Sequence, residues 1–404
     1  MKLTTVTILF CFHVVSTIVF SQSWVQVADF PDTERDDGAS FVIGNTAYCG
    51  TGLKTGWIPS RDIHAFDMLT DTWETIAPLP EGMDRQYASG FSNGTVGFIF
   101  GGLSGSTNLN DLWMYDPTTD NWQSKTPLPG VGRKGMSSFV IDDTAYFIGG
   151  STATSAATSE VWAYNMTFDN WTFKGNMPFG GRWRATSTAI NAKGYLIFGL
   201  DAAGNYTKDL YEYDPILNEW DLKSTFPADG RVYASLQNYN NQLILVAGVD
   251  SSQTSYNDMW HYDFSNSDWN QLASLPSDAR RGGMCFTNSS ALFYTTGINH
   301  SNVRLKETWK ITNPIVSIES PALMTFDIYP NPATDVLHLQ FESANQNFQQ
   351  INITAVDGQV LKTQAYNLNH GNSIPLDVSH LANGLYIISL DFKDGTHSKK
   401  FVKQ

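Results

Sequence analysis

The chain has 404 residues and a formal net charge of −14, with aromatics at 13%, charged residues at only 16%, and 32 glycines. That balance is too apolar and aromatic for a disordered chain, and the length allows two or three domains or one large repeat array. The acidity disfavours a nucleic-acid partner, because phosphate binding wants a basic face.

Residues 1–21 read as a secretory signal. Lys2 supplies the positive start, Val6–Val19 is almost wholly apolar, and the run ends at small Ser21 before Gln22, where cleavage is expected. The apolar run falls short of the roughly 20 residues that a span needs, so no transmembrane span is expected in the mature chain. Bulky Phe10 before Cys11 is unlike a lipoprotein cleavage point. Removal of the leader leaves Cys49 and Cys285, and two thiols cannot make a disulfide framework.

From residue 24 the sequence repeats every 49 residues. Trp24, Trp73, Trp122, Trp171, Trp220 and Trp269 form one ladder, Pro31 to Pro276 a second, and Gly52, Gly101, Gly150, Gly199, Gly248 and Gly297 a third. A fourth runs His64, Trp113, Trp162, Tyr211, Trp260 and Trp309, and no insertion breaks the register. Such a period signals stacked supersecondary units.

Within one unit four short strands are expected. A small-residue run (Ala88-Ser-Gly-Phe-Ser) is followed by the Asn93-Gly94 turn and the apolar run Val96-Gly-Phe-Ile-Phe-Gly-Gly, which reads as a tight hairpin. After a polar loop, Leu112-Trp-Met-Tyr-Asp alternates as a half-buried strand, and Asp116-Pro-Thr-Thr-Asp turns the chain into a fourth strand at Trp122. Six such units make a propeller. The double glycine closing the second strand, then Tyr115-Asp116, Asn121-Trp122 and Leu128-Pro129, resemble the kelch family, whose repeats form β-propeller blades. The resemblance covers about residues 23–313, although Ala247-Gly248 and Thr296-Gly297 show one glycine of the two. The expected fold is all-β: a six-bladed kelch-type propeller over residues 22–313, its last blade closed by the N-terminal strand Trp24-Val-Gln-Val pairing with Glu307-Thr-Trp-Lys-Ile.

After Asn313-Pro314 the ladders stop. A linker over 314–322 and a small Ig-like β-sandwich over 323–404 are expected from the alternating runs Val336-Leu-His-Leu-Gln-Phe, Ile351-Asn-Ile-Thr-Ala-Val and Ile374-Pro-Leu-Asp-Val. The Tyr329-Pro-Asn-Pro start, the Asp357-Gly358 turn, Leu381-Ala-Asn-Gly-Leu-Tyr and the basic ending Lys399-Lys-Phe-Val-Lys-Gln resemble the type A C-terminal sorting domain of the type IX secretion system. That resemblance implies a Bacteroidetes-type cell and a partner in the secretion machinery, with the product secreted or held at the outer cell surface.

Candidate chemistry gathers on one face. Arg35, Arg133, Arg182, Arg231 and Arg280 lie eleven residues past their Trp, with Arg85 one residue later. One reading is a ring of six at one mouth of the central channel, able to seat a carboxylate or phosphate. The other is that each arginine ties down its own loop through backbone carbonyls. Ten of the twelve tryptophans belong to the two ladders, which singles out Trp57, and Trp183 between Arg182 and Arg184, as candidate ligand contacts.

Two enzymatic options, a copper oxidase and a sugar epimerase or mutarotase, stand against binding. Galactose oxidase carries copper on a kelch propeller, but only His64, His261 and His300 lie in this one and no Cys-Tyr constellation is identified. Zinc and calcium sites lack their spacing too, so no cofactor is expected. Six-bladed kelch proteins include sialic-acid mutarotases, for which Glu34-Arg35-Asp36-Asp37 and Asp84-Arg85 would offer carboxylate beside guanidinium. The preferred expectation is a non-enzymatic module presenting its arginine face to a glycan or a protein. A buried, perturbed carboxylate at the channel mouth would favour an enzyme, and a broad exposed patch would favour binding.

Overall fold

The computed structural model describes residues 23–314, 326–341, 348–355, 360–365, 373–392 and 395–404. The expected leader, residues 315–322 of the expected linker and the Asp357-Gly358 turn lie outside the described residues. Two compact units are present, Met1–Ile315 and Val316–Gln404. Every regular element among the described residues is a strand, and none of their helices, there being none, is long and apolar enough to cross a membrane.

In the first unit six four-stranded antiparallel sheets follow one another. Their innermost strands, Ala39–Ile43, Ser89–Ser92, Ser137–Ile141, Thr186–Ile190, Ser235–Tyr239 and Met284–Thr287, define blades one to six. Local chemistry sets the turns. Gly44, Gly94, Asp142 and Asn240 adopt left-handed φ at the first hairpin, where such residues cost little. At the second hairpin Asp67, Asp116, Asp214 and Asp263 each accept backbone N–H groups two residues on, closing Asx turns.

The double-glycine position shows why one glycine suffices. Its first residue is left-handed in every blade, whether Thr51, Gly101, Gly149, Phe198, Ala247 or Thr296, with φ between 55° and 69°. The second is always glycine, because a Cβ at Gly52 would lie 2.5 Å from the Asp36 carbonyl oxygen and one at Gly102 2.7 Å from that of Gln86. Blade two departs from the expected polar loop here. Its middle strands continue past a bulge at Gly101 to run Gly97–Ser104 and Thr107–Asp116, a longer hairpin than in the other blades.

Burial is distributed around the ring: six hydrophobic clusters lie between successive blades, including one between blades six and one. The Trp73, Trp122 and Trp171 indole N–H groups donate to the Ala28, Ala77 and Thr126 carbonyls of the preceding unit at 2.8–2.9 Å. The ring closes when Trp24–Val27 pairs antiparallel with Thr308–Thr312, Trp24 opposite Ile311. Cys49 and Cys285 are buried free thiols, and burial pushes both thiols up from their ordinary pKa.

The second unit is an Ig-like sandwich. A sheet of Phe326–Tyr329, Val336–Phe341 and Ser373–Asp377 and a four-stranded sheet containing Gly384–Phe392 and Gly395–Lys403 contribute to one core, with Leu337 and Leu339 from the first and Ile353, Ile388 and Phe401 from the second.

Candidate functional site

The six ladder arginines point into their own blades. Arg35, Arg85, Arg133, Arg182, Arg231 and Arg280 are 0–7% exposed. The guanidiniums of Arg35, Arg85, Arg231 and Arg280 donate to the carbonyls of the left-handed residues Thr51, Gly101, Ala247 and Thr296 at 3.0–3.2 Å. A carboxylate pairs with five of the six: Asp32 with Arg35, Asp111 with Arg85, Glu160 with Arg133, Asp258 with Arg231 and Glu307 with Arg280. Arg182 instead binds the Phe179 and Gly181 carbonyls. Of the two readings of these arginines, this geometry fits the one in which each ties down its own loop and not a ring of free charge at the channel mouth, because a buried guanidinium is satisfied internally.

Four of these carboxylates, those of Asp111, Glu160, Asp258 and Glu307, belong to a ladder that the sequence reading missed, while Arg35 pairs with Asp32 off that ladder. Asp62, Asp111, Glu160, Asp209, Asp258 and Glu307 recur every 49 residues. Asp111, Glu160 and Asp258 also accept the indole N–H of Trp113, Trp162 and Trp260 at 2.7–2.8 Å. Arginine, acid and tryptophan thus form one unit in those blades.

The channel mouth is built by different residues, two positions after the arginines. Asp37, Tyr87, Gly135, Arg184, Tyr233 and Gly282 contribute one residue per blade, all left-handed with φ between 56° and 66°. Five backbone hydrogen bonds link them around the channel: Asp37 N–H to Gly282, Tyr87 to Asp37, Gly135 to Tyr87, Arg184 to Gly135 and Gly282 to Tyr233, at 2.8–3.3 Å. Four of the six are not glycine, so the belt carries strain of the kind that gathers at ligand sites.

Side chains of the belt enclose a cavity of about 160 Å³. The Arg184 guanidinium lies 3.8 Å from the Trp183 ring centroid and 4.1 Å from that of Tyr233. Its Nη2 donates to the Tyr87 hydroxyl at 3.4 Å, and the Tyr233 hydroxyl reaches the same oxygen at 3.4 Å. Glycine at 135 makes room for Trp183, whose Nε1 would lie 2.6 Å from a Cβ there; glycine at 282 does the same for Asp37. Lys134 and Arg281 stand beside these groups, over Trp183 and Tyr233. A larger channel cavity of about 310 Å³ lies between the innermost strands, but hydroxyls lining it, such as Ser92 and Ser187, already bond neighbouring strands. It offers less free chemistry than the mouth.

Electrostatics divide the mouth into cations and a carboxyl that resists ionisation. Lys134, Arg184 and Arg281 form no salt bridge among the described residues, unlike Arg304, which pairs with Asp36 at 2.6 Å. Desolvation, then the charge of Asp36, pushes Asp37 well above the usual carboxylate range against the pull of Arg184 and Arg281, and Tyr87 hydrogen-bonds it. Burial pushes Tyr87 up to about 12 and Tyr233 well above its ordinary value, with the charge of Asp37 the second cause in both. A carboxyl whose native pKa is raised costs stability once pH climbs above its unfolded value of about 3.9. Asp37→Asn is therefore expected to raise Tm at pH 7.5, with the gain shrinking as pH falls to 4.5. Thermal melts at the two pH values check this, and an equal shift at both would contradict it.

Trp57 and Trp183 part company. Trp183 walls the mouth, whereas Trp57 is exposed at the edge of blade one. Among the described residues no cluster of three His, Cys, Asp or Glu side chains could hold a metal ion.

Comparison with known proteins agrees with this architecture. The family model described as the KLHDC2/KLHL20/DRC7 Kelch-repeats domain matches residues 5–199 and 135–313. A second, the Secretion system C-terminal sorting domain, matches residues 327–404. No curated protein matches. Among solved structures the chain is similar to one described as the structure of YjhT, with a TM-score of 0.61 and 18% identity over 71% of this chain and 97% of that one; at that identity the likeness shows the fold. The sorting domain marks the chain for secretion or the cell surface. With six blades closed by the N-terminal strand and a family model spanning them, the chain belongs to the kelch-repeat family and ends in a type IX C-terminal sorting domain.

Proposed function

We propose that this secreted kelch module is a binding protein that seats the anionic end group of a glycan or protein ligand at its channel mouth, with an acidic sugar the best fit. The observation that carries this reading is that Arg184 lines the cavity, with Lys134 and Arg281 over its flanking rings, none of the three in a salt bridge among the described residues and a carboxyl that resists ionisation, Asp37, as their acidic neighbour, in a chain of net charge −14. A cation cluster in a low-dielectric recess concentrates positive potential locally, and guanidinium matches carboxylate bidentately. The cavity falls below the roughly 300–1,000 Å³ of drug-sized ligand sites, which suits one end group. Trp183, Tyr87 and Tyr233 supply apolar ring surface beside polar groups.

Arg184→Ala is expected to lower affinity for acidic monosaccharides at least about tenfold, the weight of one charge-assisted contact. Tm should fall only modestly, since Arg184 is half-buried and loses ring stacking and one long hydrogen bond, so affinity can be read on the folded variant. Calorimetric titration of the full chain with glucuronic, galacturonic and N-acetylneuraminic acids checks this. Unaltered affinity in Arg184→Ala and in Arg281→Ala would sink the reading.

A second reading is favoured by Asp37. A carboxyl with a raised pKa beside two tyrosine hydroxyls and an anchoring guanidinium is suited to proton transfer on a bound sugar, as in a sugar epimerase or mutarotase. NMR exchange spectroscopy of the anomers separates the two. A rate above buffer that falls in Asp37→Asn while binding persists supports catalysis; a rate equal to buffer supports binding alone.

A further inference from the structure

Trp57 belongs to neither tryptophan ladder and does not fill the core. It stands between the short strands Leu53–Lys54 and Ile58–Pro59, 68% exposed and at a left-handed φ of 63°. Its N–H donates to the Lys54 carbonyl at 3.0 Å. A large ring left in water on a backbone conformation costing roughly 1–3 kcal/mol is not explained by folding.

What lies beneath the ring gives it a purpose. The Arg304 guanidinium, from blade six, sits 4.7 Å from the indole centroid. Arg304 is 8% exposed, and its Nε donates to Asp36 Oδ1 at 2.6 Å. Its Nη2 has no hydrogen-bond partner among the described residues, leaving a buried donor at the root of the platform. A cation–π contact of this kind fixes the ring's orientation, so one face is pinned while the other meets solvent. Ile58 and Val303, chain neighbours of Trp57 and Arg304, are 56% and 53% exposed. Asp36 is the residue before Asp37, so the platform adjoins the channel mouth.

We propose that Trp57 is a stacking platform for a second sugar ring, so that the ligand is an oligosaccharide whose acidic end enters the mouth and whose next units lie across blade one. This rests on the mouth being an anion site. A flat aromatic face held in place by a guanidinium beneath it suits a pyranose, which offers one apolar face for stacking. A pinned ring also loses little conformational entropy on binding.

The test is titration of the full chain, as wild type, Trp57→Ala and Trp57→Phe, with the three acidic monosaccharides above and with oligosaccharides ending in each. The wild type is expected to prefer the oligosaccharide, and Trp57→Ala to lower the oligosaccharide-to-monosaccharide affinity ratio about tenfold, with Trp57→Phe retaining most of it. A ratio unchanged in Trp57→Ala, or no preference in the wild type, overturns the platform. If the wild type binds no acidic sugar, the mouth reading has failed, and the same variants against neutral oligosaccharides decide the platform separately: binding lost in Trp57→Ala upholds it, and absence of binding overturns it.

Discussion

Arg231→Ala is expected to destabilise the propeller by about 3–5 kcal/mol, the range for removing one partner of a buried ion pair. Arg231 is fully buried, donates to both oxygens of Asp258 at 2.6 and 2.7 Å, and holds the Ala247 carbonyl at 3.0 Å. Its guanidinium lies 3.7 Å from the Tyr256 ring centroid. Alanine would strand the Asp258 carboxylate, leave the Ala247 carbonyl unsatisfied and open a void. Because burying two charges roughly offsets their attraction, Arg231→Met with Asp258→Leu should recover part of the loss, with the Ala247 carbonyl and the Trp260 indole N–H still lacking their partners. Differential scanning calorimetry of the single and double variants reads both. The opposite outcome is informative: an Arg231→Ala chain that melts like wild type but no longer binds acidic sugars would make the arginine ladder the ligand site. It would then displace the mouth cluster from that role.

Much of the architecture was legible because its signals are periodic. The 49-residue ladders of Trp, Pro and Gly, the hairpin turns and the lone strand at Trp24 each imply a position in a blade, and positions compound across six copies. Function was harder to read for the same reason. The arginine ladder leaves open both a ring of free charge and a set of loop ties, yet the acids Asp62 to Glu307 run in step with it, and at Arg85, Arg133, Arg231 and Arg280 that fixed offset is an internal pair. The mouth was nearly invisible, since it breaks the period: its six positions hold Asp, Tyr, Gly, Arg, Tyr and Gly, and blade two is offset by one residue. Its shared property is a left-handed backbone, which only the two glycines advertise. Arg184 and Trp183 were flagged as irregular residues, and Asp37 within an acidic cluster. Tyr87, Tyr233, Lys134 and Arg281 lacked any local signal, and only ring closure brings them together.

Ring closure supports the other large prediction, that a chain starting at Ala28 will not hold the propeller. Trp24 is the rung that completes the first ladder, its indole N–H donating to the Ala273 carbonyl of blade five at 2.9 Å, as Trp73 donates to Ala28. The ring itself is buried, so Trp24→Ala alone should cost about 3–5 kcal/mol. Deleting the whole strand also removes its pairing from Trp24↔Ile311 to Val27↔Thr308, and exposes Thr308–Thr312 as an open edge that invites pairing between chains. The expected result is a broad, low-temperature melt and dimers or aggregates by light scattering, with partial rescue by a peptide spanning residues 22–28. A monomeric truncation with wild-type Tm would show that the intersheet clusters hold the ring without the strand. The strand's partner comes from the last blade, so blade six cannot be completed until residues 308–312 are present. Closure is consequently the longest-range contact in the unit and the one that loop-closure entropy opposes most. The mouth depends on it directly: Asp37 of blade one bonds Gly282 of blade six at 2.8 Å, so a chain that cannot close should lose the proposed anion site together with its cooperative melt.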